Sequence, residues 1–316
     1  MKKTVIVVVG PTASGKSGLG IELAKKLNGV IISADSMQIY KNLDVGTAKV
    51  TSKEAMGIKH ELIDILDVTE TFSVSDYKRL CYEKIEEVLN YGKTPIIVGG
   101  TGLYINAVVN NMSFDEVDKT KDMMVNQKLE EMTQRKSQEE IYDLLKSLDC
   151  DAARNIDKKN TKRVLRAIKM YLLGNKKSDV ENKNDLWYQN ESPYNFFTIY
   201  IDMPRDLLYY RINQRVDMMV EEGILDEVNM LHKISKVNPN ITACQAIGYK
   251  EFFAYVEGKS PITDCVELLK QKTRNYAKRQ VTWFKKLQNK FVVDGTKSKE
   301  EMVESILKEY YEKNKC

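Results

Sequence analysis

Histidine is almost missing from this chain: His60 and His232 are the only two among 316 residues. Cys81, Cys150, Cys244, Cys265 and Cys316 are scattered, odd in number and without a C-x-x-C pair. A His/Cys zinc site and a disulfide scaffold are therefore excluded. Long apolar runs are also absent. The strongest, residues 5–9 behind Lys2 and Lys3, stops at Gly10-Pro11, below the length of a signal-peptide core. A cytoplasmic protein with no membrane contact is expected. Proline numbers only six, and there is no internal repeat or low-complexity tract. With 42% hydrophobic and 30% charged residues, the chain describes one large or two smaller globular domains.

Excess charge of one sign is missing too, since 49 basic against 45 acidic residues leave +4. Distribution says more than the sum. Lys270, Lys272, Arg274, Lys278, Arg279, Lys285, Lys286 and Lys290 follow one another with no acid between them, beside Tyr276, Trp283 and Phe284. Arg154, Lys158, Lys159, Lys162, Arg163, Arg166 and Lys169 form a second run, relieved only by Asp157. A solvated helix face explains either run. Exposed aromatics beside cations also suit stacking and phosphate contacts to RNA.

Residues 5–9 are β-branched and bounded by Gly-Pro, which predicts a strand buried on both faces. Residues 18–28 follow as a helix with Leu19, Leu23, Ala24 and Leu27 on one stripe and Gly29 as its left-handed cap. Residues 30–32 read as a strand. Residues 76–91 read as a helix with Ser75 or Asp76 at its N-cap, a stripe through Leu80, Ile85 and Leu89, and Gly92 as stop; residues 96–98 are a third strand. This alternation predicts an α/β fold, a parallel sheet flanked by helices, which the glycine-rich loop at 10–17 makes P-loop NTPase-like. From residue 113 the pattern turns to Met-, Lys- and Glu-rich helices, with a capping box at Ser137 and Glu140 and a polar stretch at 174–190. Residues 113–195 are expected to be a helical insertion domain, and 1–112 with 196–316 the core domain. Within the core, residues 196–201 should be a strand, 205–231 a helix interrupted near Gly223, and 262–286 a long basic helix.

Gly10-Pro11-Thr12-Ala13-Ser14-Gly15-Lys16-Ser17 fits G-x-x-x-x-G-K-[ST] between a strand and a helix. Such a loop turns backbone N–H groups around a phosphate, adds the helix N-terminus and Lys16, and offers the Ser17 hydroxyl to Mg²⁺. The strand expected to end in a metal-holding acid runs instead into Gly99-Gly100-Thr101-Gly102. The nearest strand-end acid is Asp35, followed by Ser36, Gln38 and Tyr40; it is either a metal partner or a base facing the phosphate site.

Several segments in order carry a resemblance: the P-loop, Ala34-Asp35-Ser36-Met37-Gln38-Ile39-Tyr40, Asp44-Val45-Gly46-Thr47-Ala48-Lys49, Val98-Gly99-Gly100-Thr101-Gly102-Leu103-Tyr104, Ala246-Ile247-Gly248-Tyr249-Lys250-Glu251, and Thr273-Arg274-Asn275-Tyr276-Ala277-Lys278-Arg279-Gln280 with Thr282-Trp283-Phe284. Together they resemble the tRNA dimethylallyltransferase family, also called tRNA isopentenyl or IPP transferases. The resemblance implies Mg²⁺-dependent transfer of the dimethylallyl group from dimethylallyl diphosphate to the exocyclic amine of the adenosine 3′ of the anticodon. It implies Asp35 as general base or orienting acceptor, Thr101 across the reaction centre, and residues 10–17 around the diphosphate. Arg211 and Arg215, one turn apart, are further candidates for the diphosphate. For the tRNA anticodon stem-loop it points to Asp35, Ser36, Met37, Gln38, Thr101, Met123, Lys159, Asn160, Arg163, Gln245, Gly248, Tyr249, Lys250, Arg274, Lys278 and Arg279. One departure is Lys158-Lys159-Asn160-Thr161-Lys162-Arg163, where the family usually reads Pro-Asn-Asp-x-x-Arg; Asn160 accepts a hydrogen bond but lacks the charge to pair with an Arg. A monomer is expected. Competing readings are a small P-loop kinase, a transferase acting on free AMP or ADP, and a non-catalytic RNA binder.

Overall fold

The structure is a computed structural model and describes residues 2–114, 119–174, 191–238 and 241–314. They fall into two compact units, residues 1–111 with 189–316, and residues 112–188. Of the expected polar stretch at 174–190, residues 175–190 lie outside the described residues.

In the larger unit, β1 (Lys3–Val9) leads into α1 (Lys16–Lys26) and β2 (Gly29–Ser33). β3 (His60–Glu61), α2 (Val74–Asn90), β4 (Thr94–Gly99) and α3 (Gly102–Val109) follow. The smaller unit holds α4 (Lys119–Arg135), α5 (Gln138–Leu148), α6 (Cys150–Asn155) and α7 (Thr161–Leu173). The chain returns with β5 (Tyr194–Asp202), α8 (Arg205–Glu221), α9 (Ile224–Val237), α10 (Ile262–Lys285), β6 (Phe291–Asp294) and α11 (Lys299–Lys313). All six strands are parallel, in the order β3-β2-β4-β1-β5-β6. This is the α/β, P-loop NTPase-like arrangement that the alternation predicts.

Val5 to Val9 are completely buried, because β1 lies in the middle of the sheet. Alternate residues meet opposite layers. Ile6 and Val8 join Leu19 and Leu23 of α1 and Val303 and Ile306 of α11 in one core cluster. Each buried Val or Ile there contributes about 1.5–3 kcal/mol over an exposed one.

Local details differ from the sequence reading. The left-handed residue after α1 is Asn28 (φ 49), and Gly29 already belongs to β2. A Cβ on Gly29 would stand 2.7 Å from Ile96 Cδ1 and 3.0 Å from the Ala24 Cα, so close packing requires the glycine. Helix α2 is capped by Ser73, with Asp76 closing the capping box from the third position, and its buried stripe is Tyr77, Cys81, Ile85 and Val88. Leu80 and Leu89 are half-buried beside that stripe. Gly223 (φ 90) separates α8 from α9 as two helices. β5 starts at Tyr194, two residues before the expected return to the core. The two-residue β3, the four-residue edge strand β6 and α11 have no counterpart in the sequence reading.

In the smaller unit, Val125, Leu129, Ile141, Leu145, Val164 and Ile168 pack into a core of their own. Ser137 and Glu140 form the expected capping box. Asn160 caps α7, its Oδ1 accepting from the Arg163 N–H at 3.2 Å. Capping needs an acceptor rather than a charge, which explains how Asn serves where Asp is usual.

β2, β4 and β1 are neighbours, so the loops leaving their C-terminal ends open side by side, the crevice where parallel sheets bind ligands. The tightest point is Gly99, where an added Cβ would lie 2.2 Å from the Ala34 carbonyl oxygen. The Ala34 N–H donates to Val98 O at 2.8 Å, and the Thr101 N–H donates to Ala34 O at 3.1 Å. Gly99→Ala must push rigid backbone apart and should destabilise the fold by about 1–3 kcal/mol. Urea unfolding reads this directly, and a loss below ~0.5 kcal/mol, the scale of a neutral substitution, would contradict the close approach.

Candidate active site

The P-loop turns through two left-handed residues, Ala13 (φ 62) and Gly15 (φ 86). Gly15 is the N-cap of α1 and supplies no side chain to its first-turn N–H groups. Those unpaired donors, with the helix dipole, make the place suited to an anion. Lys16 Nζ donates to the Pro11 carbonyl at 3.3 Å. Burial brings its pKa down to about 8; Asp35 opposes that shift and Arg215 adds to it.

Arg211 and Arg215 face this loop from α8. Ala13, Gly15, Lys16, Ser17, Arg211 and Arg215 line one cavity of about 330 Å³. Arg215 donates to Thr12 Oγ1 at 3.2 Å and to the Thr47 carbonyl at 3.3 Å. Burial lowers its pKa while Asp35 holds it up. Arg211 Nη1 lies 3.7 Å from Met203 Sδ. Four positively charged or donating elements thus surround one anion-sized space.

Arg215 also belongs to a second cavity, of about 300 Å³, with Thr12, Asp35, Ser36, Met37, Gly248 and Tyr276. Asp35 Oδ1 accepts from the Met37 N–H at 3.0 Å. Thr101 Oγ1 accepts from the Ser36 N–H at 3.0 Å, and its hydroxyl donates to Ser36 Oγ at 3.3 Å. The carboxylate is therefore fixed at the rim of a mostly apolar pocket, beside the phosphate loop. Tyr276 presents its hydroxyl to Thr101 and Gln280; burial, and then Asp35, push its pKa up.

Ser17 offers a half-buried hydroxyl at the first turn of α1. No group of three or more His, Cys, Asp or Glu able to hold a metal exists among the described residues. A hydroxyl with a ligand's own oxygens and water fits Mg²⁺, which commonly keeps waters and binds through substrate phosphates.

Residues 38–287 match the IPP transferase family model. The chain belongs to the IPP transferase family. It is 44% identical over 309 residues to the tRNA dimethylallyltransferase of Acetivibrio thermocellus, covering 97% of this chain and 96% of that one. The crystal structure of a tRNA delta(2)-isopentenylpyrophosphate transferase from Staphylococcus epidermidis matches with a TM-score of 0.71 and 41% identity, over 99% of this chain and 100% of that chain. A eukaryotic dimethylallyltransferase acting on tRNA matches with a TM-score of 0.75 and 31% identity, over 93% of this chain and 74% of that chain.

Within this IPP transferase, the other sequence candidates take different positions. Gln245 and Lys250 are exposed, whereas Gly248 and Tyr249 are buried. Tyr249 donates its hydroxyl to Glu227 at 2.9 Å. The Gln38 amide is engaged inside the protein: its Oε1 accepts from Ser33 Oγ at 3.1 Å, and its Nε2 donates to Thr47 O at 3.3 Å. Arg274 donates to Asn213 Oδ1 at 2.6 Å. Lys270 pairs with Asp217 and Glu267. Lys272, Lys278, Arg279, Lys285 and Lys286 are exposed. Met123, Lys159, Asn160 and Arg163 belong to the smaller unit and are exposed there.

The aromatics of α10 correct the sequence reading of stacking groups beside cations. Phe284 is fully buried, with Tyr200 at 6.4 Å between ring centroids. Trp283 is packed so closely that a Cβ on Gly102 would meet its ring at 2.4 Å. Tyr276 keeps its cation, with the Arg279 guanidinium 5.6 Å from its ring centroid, and lines the Asp35 cavity, so the correction applies to Trp283 and Phe284.

Glu227 is a residue that sequence reasoning passed over. Its carboxylate accepts from the Asp44, Val45 and Gly46 N–H groups at 2.8, 2.7 and 3.1 Å, besides Tyr249. It ties α9 to the loop that supplies Thr47 to Arg215. Glu227→Ala leaves these donors unanswered and should cost at least ~2 kcal/mol in urea unfolding, with Glu227→Gln losing less because an oxygen remains. Equal losses for the two variants would count against the carboxylate's role as acceptor.

Proposed function

We propose that the protein transfers a dimethylallyl group from dimethylallyl diphosphate to the exocyclic N6 amine of the adenosine 3′ of the anticodon in tRNA. The observation that carries this reading is Arg215, which forms a wall of both cavities at once. On one side lie the P-loop and Arg211, suited to a diphosphate; on the other lies Asp35 in a pocket of base size. The diphosphate and the amine then meet across a short gap.

In the reaction the C–O bond to the diphosphate breaks, its electron pair leaves with the oxygen, and the allylic carbon bonds to N6. Lys16, Arg211, Arg215 and the P-loop amides stabilise the growing oxygen charge. The amine becomes cationic as it attacks, and Asp35 accepts its proton or orients it. Thr101 holds the Ser36 N–H and so fixes the turn carrying Asp35. The Ser17 hydroxyl would hold Mg²⁺, which would supply further neutralisation of the diphosphate charge. No residue here has to activate water, which fits the carboxylate-free loop at 99–102.

A base must leave its stack to enter the Asp35 pocket. Ser36, Met37 and Gly248 line it, while exposed Gln245, Lys250, Lys278 and Arg279 grip the surrounding loop through phosphates. Met123, Lys159, Asn160 and Arg163 contribute from the smaller unit. We expect the enzyme to work as a cytoplasmic monomer; no helix of the described residues is long and apolar enough to cross a membrane.

Asp35→Asn and Thr101→Ala should each lower single-turnover transfer to tRNA by at least ~100-fold, the scale of a lost acid–base or charge-stabilising group. Binding of tRNA should be nearly unaffected. Equal weakening of tRNA binding, or full activity in Asp35→Asn, would count against these roles. Neutralising Lys278 and Arg279 should instead weaken tRNA binding and flatten its salt dependence by roughly 0.7 log units of slope per lost single-strand phosphate contact. An unchanged slope returns that surface to a solvated helix face.

A further inference from the structure

Helix α10 turns one polar side chain into an otherwise close-packed interior. Gln280 is 5% exposed, and both ends of its amide are occupied. Oε1 accepts from the Thr12 N–H at 2.8 Å, and Nε2 donates to the Gly100 carbonyl at 2.8 Å. The Tyr276 hydroxyl, one turn back on the same helix, is hydrogen-bonded to the same amide. The two backbone partners are in different loops, one after β1 and one after β4. An added Cβ on Gly100 would approach Gln280 Nε2 to 2.4 Å and Lys16 Nζ to 3.5 Å. The amide therefore fills the gap between the two loops right beside the P-loop lysine. Gln280 lines neither of the two cavities.

We propose that Gln280 is a positioning residue for the donor diphosphate: it locks the first turn of the P-loop to the glycine loop after β4 and so fixes the shape of the phosphate cradle without touching either substrate. The inference rests on the transfer reaction proposed above. Glutamine suits the place because one partner is a donor and the other an acceptor. A carboxylate would satisfy Thr12 but oppose the Gly100 oxygen, and would set a negative charge beside a site for an anion. An apolar side chain would leave the half-buried Thr12 N–H and the buried Gly100 carbonyl unanswered. On the outer side of the same turn Lys278 and Arg279 are exposed, so a defect confined to the cradle is distinguishable from one in RNA docking.

The test uses the full chain, inorganic pyrophosphate with Mg²⁺ as the equilibrium probe, and steady-state transfer to tRNA as the second readout. Gln280→Glu should raise the pyrophosphate Kd and the donor KM by about tenfold or more, the scale of a buried hydrogen-bonding group left opposed. Its tRNA Kd and salt slope should stay within about twofold of the wild type, a change too small for a lost phosphate contact. Gln280→Met, of similar length and without charge, should shift the pyrophosphate Kd in the same direction. In the wild-type protein the Thr12 amide should exchange with solvent more slowly than the neighbouring Ala13 amide, a signature available whether or not the variants fold. An unchanged pyrophosphate Kd in a folded variant, tRNA affinity falling as far as donor affinity, or an unprotected Thr12 amide would overturn the assignment. Pyrophosphate binding is read without any acceptor, so this outcome is independent of whether the dimethylallyl group moves to tRNA.

Discussion

Backbone of β2 and β4 comes into contact at Ala34 and Gly99, and the chemistry of this protein depends on that approach. Two parallel strands side by side would ordinarily release their loops several ångströms apart. Here the missing side chain of Gly99 lets the Ala34 carbonyl receive the Thr101 N–H. Asp35 and Thr101, separated by 66 positions in sequence, become neighbours through main-chain geometry, which is far stiffer than side-chain contact. With β1 on the other side of β4, the P-loop completes a row of three loops in one crevice.

Charge is arranged in that crevice so that none of the groups is neutralised before a ligand arrives. Lys16 and Arg215 are both held at depressed pKa by burial, and Asp35 opposes the shift in each. One carboxylate against Lys16, Arg211 and Arg215 leaves a surplus of positive charge at the cavity. A diphosphate relieves that surplus; its departure from carbon increases the charge on its oxygens and thus strengthens the same contacts. Such a site favours the leaving group more as the reaction proceeds, which is how binding energy becomes rate.

The sequence made the crevice legible and the struts behind it illegible, for different physical reasons. Residues 5–9, 30–32 and 96–98 advertise buried strands by their β-branched side chains, and the loops after them carry Gly, Asp and Thr where a parallel sheet places ligands. Arg211 and Arg215 could be paired by helical spacing alone. Gln280 and Glu227 gave no such signal, because each works through backbone groups 180 to 268 and 181 to 183 residues away. A glutamine or glutamate on an amphipathic helix reads as surface until the fold shows what it touches. The same limit misassigned Trp283 and Phe284, whose direction was decided by the Gly102 loop and β5, whereas Tyr276 does sit beside a cation, Arg279. β3 and β6 escaped notice because two and four residues at sheet edges carry too little pattern.

The central claim is that one crevice joins an allylic diphosphate to an adenine amine in RNA. Purified protein with Mg²⁺ and dimethylallyl diphosphate labelled in the allyl group, offered unmodified tRNA in one tube and AMP in another, tests it most directly. The account predicts label in tRNA alone, with one diphosphate released for each group transferred. Label in AMP, or intact donor in both tubes, would contradict it.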